Sequence, residues 1–397
     1  MEPTAERERL EVIDILRGFA VFGILLVNMA DFKSAELYRI RVPGEGWDHP
    51  DGWVQHLIRI LAQGHFYTLF SFLFGFGMIF MMERARERGK RFVPAYVRRL
   101  LTLMLLGLVH AWLIWFGDIL FSYAVLGFIL LLFHRAGPKT LLAAGLLILL
   151  IHTAVNGWLY SGPAPTPEQK EAIAASHRWW EEHSTVVYKS GTFGEVTEQR
   201  IHDWTYLNSH WYSLWPPLLA MFLLGAAAAK RRVFHRLDSS GELLRKGWRW
   251  SLGVALVLGV LEYVVSPVIH PDPYGFRLLV WIGNNIGDPA ACLFYLTSVA
   301  LLYRKWGNRL RPLAPVGRMA LTNYLLQSLF FTTLFYSYGL GWYGEVEAVA
   351  GLILTVVFFF LQIFFSRWWM GRFHQGPVEW ILRTATYGRP VSFRRGN

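Results

Sequence analysis

Apolar runs of bilayer-spanning length recur along this 397-residue chain, and about 20 such residues are what a helix needs to cross the hydrocarbon layer. Ten spans are predicted, at 12–30, 61–82, 100–116, 119–133, 140–159, 211–229, 248–265, 278–303, 319–340 and 346–370. In lipid each segment must satisfy its own backbone hydrogen bonds, so the fold class is all-α, a polytopic transmembrane helix bundle. The run 119–133 is short. Paired with 100–116 it could form a re-entrant hairpin, which would reduce the count to eight without moving either terminus. Charged residues make up 17% of the chain, against about 25% in an average soluble domain.

The net charge of +11 does not point to nucleic acid, because the basic residues sit in short clusters between apolar runs. With the N-terminus inside, 30 of the 39 Lys and Arg fall in cytoplasmic segments and nine in external ones. That asymmetry follows the positive-inside rule and places both termini in the cytoplasm. The first apolar run is read as a retained span, since no small-residue cleavage site follows it. The single cysteine, Cys292, excludes an intramolecular disulfide framework.

Residues 1–397 are read as one membrane domain, with an external connection over 160–210 between the fifth and sixth spans and a cytoplasmic interfacial tail over 371–397. The connection opens on the Ser161-Gly-Pro-Ala-Pro loop breaker, and a short helix is expected over 168–182. No repeat or inverted half is evident.

Ionisable residues within spans are costly, so each is a candidate for function. Asp14 and Arg17 share a helix face and can pair, either as a structural ion pair or with Arg17 facing an anionic ligand. Asn28 lies about 16 Å further along the same helix. Gly75 and Gly77 suit close helix approach. His65, near the outer start of the second span, is either a satisfied buried histidine or a proton-transfer group. His110 and Asp118 are eight apart, which on one helix is about 12 Å, so they are expected to line an external cavity without touching. His49 and His56 in the first external loop, and Asn284, Asn285 and Asp288, add to this outer polar set. On the inner side, Arg318, Thr322, Asn323 and Gln327 form a polar stripe, and Glu379 and Arg383 are spaced to pair. No phosphate-cradling glycine loop, nucleophile elbow or zinc-protease motif is present, and the 13 histidines do not fall at metal-site spacing, so no metal is expected.

Several stretches resemble the YeiB family of bacterial inner-membrane proteins, defined by a domain of unknown function. They are Asp14-x-x-Arg17-Gly18 with Asn28, the run from Gly64 to Gly77, His110 with Gly117-Asp118-Ile119-Leu120, Gly317 to Ser328, and Gly376-Pro-x-Glu379-Trp380. One departure is His65, where the family commonly carries Lys. The opening Asp-x-x-Arg-Gly is also similar to that of transmembrane acyltransferases such as the heparan glucosamine N-acetyltransferase. Those enzymes move an acyl group from cytoplasmic acyl-CoA to an acceptor across the membrane, using a histidine that follows an asparagine in the first non-cytoplasmic loop. Asn28 and His49 are the positional match.

The resemblance implies a multi-pass protein of the bacterial cytoplasmic membrane that transfers an acyl group from acyl-CoA, such as acetyl-CoA. Arg17, Arg98, Arg99 and Arg318, with Asn323 and Gln327, would hold the donor. His49, His110 or His65, with Asp118 and Asn28, would act on the acceptor. Expected partners are membrane lipids, a small-molecule or glycan acceptor and a second copy of the chain as a homodimer. A transporter or permease for a small organic solute is the alternative, because polar stripes on separate helices suit it as well.

Overall fold

The computed structural model describes residues 10–40, 47–160, 162–163, 165–235, 241–261 and 282–395. Within them run α1 (Glu11–Lys33), α2 (Pro50–Leu61), α3 (His65–Glu87), α4 (Phe92–Leu113), α5 (Leu120–Leu132), α6 (Pro138–Tyr160), α7 (Pro167–Ser190) and α8 (Phe193–Ser209). They continue with α9 (Trp211–Lys230), α10 (Gly241–Val260), α11 (Asp288–Leu310), α12 (Leu313–Arg318), α13 (Ala320–Phe335), α14 (Ala348–Arg372) and α15 (Pro377–Tyr387). Arg7, Arg9, Arg41, Arg236 and Arg277, Ser161, the Asn284 side chain and parts of the runs 248–265 and 278–303 lie outside the described residues.

Seven stretches among the described residues are long and apolar enough to cross a membrane: α1, α2 with α3 as one stretch, α4, α6, α9, 285–310 and α14. The chain is a multi-pass helical membrane protein. Three of the ten predicted spans form helices that fall short of that standard. The 13 residues of α5 and 16 of α13 reach only about 20 and 24 Å at about 1.5 Å per residue, against a layer about 30 Å thick. The third, α10, begins with Glu242, Arg245, Lys246 and Arg249.

The core is apolar on the arginine-rich side, where Leu16, Leu69, Phe76, Leu100 and Phe222 pack together. Toward the other face it becomes aromatic, around Phe32, Trp115, Phe331 and Tyr336. Close backbone contact sets the register on the arginine-rich side. A Cβ on Gly317 of α12 would strike the Asp14 carbonyl, and one on Gly18 of α1 would strike that of Leu313. These glycines let α1 and α12 touch along their backbones. That contact brings Arg17 and Arg318, the sequence neighbours of the two glycines, onto adjacent elements. Gly75 meets the Phe222 backbone of α9 in the same way, whereas Gly77 faces Arg17.

The connection between α6 and α9 is mostly helical. The helix expected over 168–182 runs from Pro167 to Ser190, and a second follows. Each opens on a capping box, Thr166 with Gln169 and Thr192 with Glu195. Buried Asp203 of α8 accepts hydrogen bonds from Tyr38, Tyr188 and Gln199. This carboxylate ties the helical pair to the turn after α1.

Candidate functional site

One cavity of about 430 Å³ runs through the bundle between α1, α3, α4, α13 and α15. Its two ends differ in chemistry. At one end six arginines line it, Arg17, Arg84, Arg88, Arg99, Arg318 and Arg383, together with the carboxylates Asp14 and Glu379. Val21, Ile24, Phe70, Leu73 and Leu103 form an apolar middle, and Asn28, Tyr67, Tyr123 and Tyr324 stand at the other end. Arg17 and Asn28 are eleven residues apart on α1, so the cavity extends about 16 Å along that helix.

The mouth is built to receive negative charge. Arg17 donates to Asp14, 3.3 Å away. Among the described residues, no carboxylate lies within ion-pair distance of Arg99 or Arg383. A guanidinium held in this way is costly to bury and favours an anionic partner. The pair expected between Glu379 and Arg383 does not form. Glu379 instead accepts from the Leu321 and Thr322 amides at 2.8 and 3.1 Å and from the Thr322 hydroxyl. A carboxylate is favoured there because the first N–H groups of a helix, here α13, lack intrahelical acceptors. Docked by that carboxylate, α15 turns Arg383 to the cavity.

Burial raises the Glu379 carboxyl above the usual carboxylate range and lowers the Arg383 guanidinium. Glu379 therefore binds its proton more tightly in the folded protein than in the unfolded one. Its contribution to stability falls as pH rises from the unfolded glutamate value of about 4.3 through the raised folded value, and is flat beyond it. Glu379→Gln is expected to remove that slope while still accepting from both amides. Glu379→Ala is expected to cost about 1–3 kcal/mol by leaving buried donors unpaired. Thermal unfolding in detergent, measured across pH, checks both.

Two histidine–aspartate pairs flank the end opposite the arginines. His110 Nδ1 lies 2.9 Å from Asp118 Oδ1, and both side chains are buried. The expected separation of about 12 Å is thus overturned. Helix α4 ends at Leu113, and the segment through Gly117 folds Asp118 back onto His110. The second carboxylate oxygen, Oδ2, accepts from the Phe121 amide at 2.8 Å and fixes the start of α5. A carboxylate only accepts, so the neutral imidazole carries its proton on Nδ1 and leaves the Nε2 lone pair available. Nε2 is buried with no hydrogen-bond partner among the described residues. In the second pair His65 Nε2 lies 3.4 Å from Asp288 Oδ1. Tyr67, on the cavity wall, donates to Asp288 Oδ2 at 3.1 Å. Gly64, at φ +83, lets the chain pass directly over that carboxylate.

The remaining sequence candidates divide. Arg17, Arg99, Arg318, Gln327 and Asn28 line the cavity. Arg98 does not: it is exposed and donates to the Thr386 carbonyl near the end of α15. Asn323 is buried between helices, donating to Val316 and Ser366, while Gln327 donates to Gln362. This part of the polar stripe joins α13 to α14. His49 is half exposed, off the cavity wall, and accepts from the Gly52 amide to cap α2. Sequence reasoning used Arg84 and Arg88 only for orientation and missed Tyr67, Tyr123 and Tyr324. Nothing in a run of aromatic residues marks which hydroxyl meets a cavity.

Residues 228–389 match the model of a family described as a protein of unknown function, DUF418. The uncharacterized protein YxaH of Bacillus subtilis is 40% identical over 415 residues, covering 98% of this chain and 96% of that protein. The uncharacterized protein YeiB of Escherichia coli is 29% identical, covering 96% of each chain.

Proposed function

The chain belongs to the YeiB family, and from that premise and the cavity geometry we propose that it is a transmembrane acyltransferase of the bacterial cytoplasmic membrane. It takes an acyl group from cytoplasmic acyl-CoA and places it on a small-molecule or glycan acceptor at the outer side. The supporting observation is one cavity that joins a six-arginine mouth to an outer end flanked by histidine–aspartate pairs. Arginine forks bind the 3′-phosphate and diphosphate of CoA well. Phosphates do not cross lipid cheaply, so the head stays at the mouth and the arm carries the thioester up the apolar middle.

At the outer end His110 Nε2 removes the proton from the acceptor hydroxyl or amine as that atom attacks the thioester carbon. The C–S bond breaks, the new C–O or C–N bond forms, and the proton passes from His110 to the departing CoA thiolate. Asp118 holds the tautomer and stabilises the imidazolium. Calorimetric titration of purified protein with acetyl-CoA tests the donor half, and saturable micromolar binding is expected. Absence of binding, together with saturable solute uptake in proteoliposomes, would favour a permease.

A further inference from the structure

His110 and the cavity are adjacent but not in open contact. The imidazole is 1% exposed and is not among the cavity-lining groups. Two aromatic rings enclose it. Trp115 packs edge-on at 6.2 Å from the outer aromatic cluster, and Tyr324 lies at 5.1 Å with its ring also on the cavity wall. The Tyr324 hydroxyl donates to the Gly117 carbonyl at 3.1 Å, and Gly117 lines the cavity as well. The side that faces the donor channel is therefore covered by the Tyr324 ring, fastened through its hydroxyl to the Gly117–Ile119 segment.

We propose that Tyr324 is a gate between the donor cavity and His110, latched on Gly117 and displaced by the acceptor when it binds. This rests on the reading of His110 as the general base. A base left open beside a thioester would activate water, which would attack the same carbon, giving free acid and CoA thiol and wasting the donor. A closed ring keeps water from Nε2, and only an acceptor that fills the space of the swung ring brings its nucleophile within reach. The gate makes Tyr324 a specificity-determining residue.

Diethylpyrocarbonate modification of His110, read by peptide mass spectrometry on the full-length protein in detergent, tests the gate without reference to turnover. His49 serves as the exposed internal standard. In the unmodified protein His110 is expected to react at least about tenfold more slowly than His49, because reaction waits on local opening. Tyr324→Leu is expected to bring the two rates together. Tyr324→Phe keeps the ring but loses the latch, and should fall between. If Tyr324→Leu loosens the whole bundle, His65 will also react faster, and Tyr324→Phe then decides by the same criterion. Equal rates at His110 and His49 in the unmodified protein, or no change at His110 in the deciding variant, would overturn the gate. A gate that behaves as expected in a protein that transfers no acyl group would leave Tyr324 in place and remove the enzyme reading alone.

Discussion

Replacing His110 by alanine is expected to lower acyl transfer by about a hundred- to ten-thousandfold, the range a positioned general base contributes, with CoA affinity unchanged. The two effects separate because His110 lies eleven residues beyond Arg99 on α4, about 16 Å along the helix. Release of CoA thiol from acetyl-CoA, followed in membrane vesicles that retain their native acceptors, gives the rate. Asp118→Asn should lose activity without losing the fold, since the amide oxygen still accepts from the Phe121 amide while the imidazolium loses its counter-charge. Wild-type turnover in His110→Ala would assign the base elsewhere, with His65 beside Asp288 the next candidate.

The second large effect is expected at the mouth. A hydrogen bond between a guanidinium and a phosphate contributes about 1.5–3 kcal/mol, so Arg318→Ala should weaken acetyl-CoA binding about ten- to a hundredfold. Arg17→Ala should act similarly, with an added cost from leaving Asp14 without its partner. Lysine at either position should restore only part of the affinity, because its point charge does not reproduce the planar fork. Arg98→Ala is the internal control: Arg98 is the sequence neighbour of cavity-lining Arg99 but is itself off the cavity wall, bonded to the end of α15. Equal losses in all three variants, read by calorimetry, would mean that surface charge rather than a built site attracts the nucleotide.

Much of this was legible in the residues, and the gaps have physical causes. Apolar length and charge asymmetry define a helical membrane bundle, and the pairing of Asp14 with Arg17 follows from their spacing alone. Sequence spacing puts His110 and Asp118 in one region, but on a straight helix it keeps them about 12 Å apart. The break after Leu113 contains no proline to announce it, and Gly117 before Asp118 was the only local hint. Arg84 and Arg88 are hidden for another reason. An arginine at the inner end of a span satisfies the orientation rule whether it reaches into a cavity or out to water. Glu379 and Arg383 show the limit of pairwise spacing. A weak exposed pair worth a few tenths of a kcal/mol yields to three donors at the start of α13, and those donors come from 57 to 58 residues away in sequence.

The central claim is that an acyl group travels along the cavity from the arginine mouth to the outer histidines. An acyl-CoA bearing a diazirine at the far end of its acyl chain, photolysed on the purified protein and mapped by mass spectrometry, tests it directly. Labelling around Asn28, Tyr67 or the Gly117–Tyr123 segment, suppressed by excess CoA and lost in Arg318→Ala, is the expected result. Labelling confined to the inner surface around residues 84–99 and 377–387, or unaffected by CoA, would contradict it.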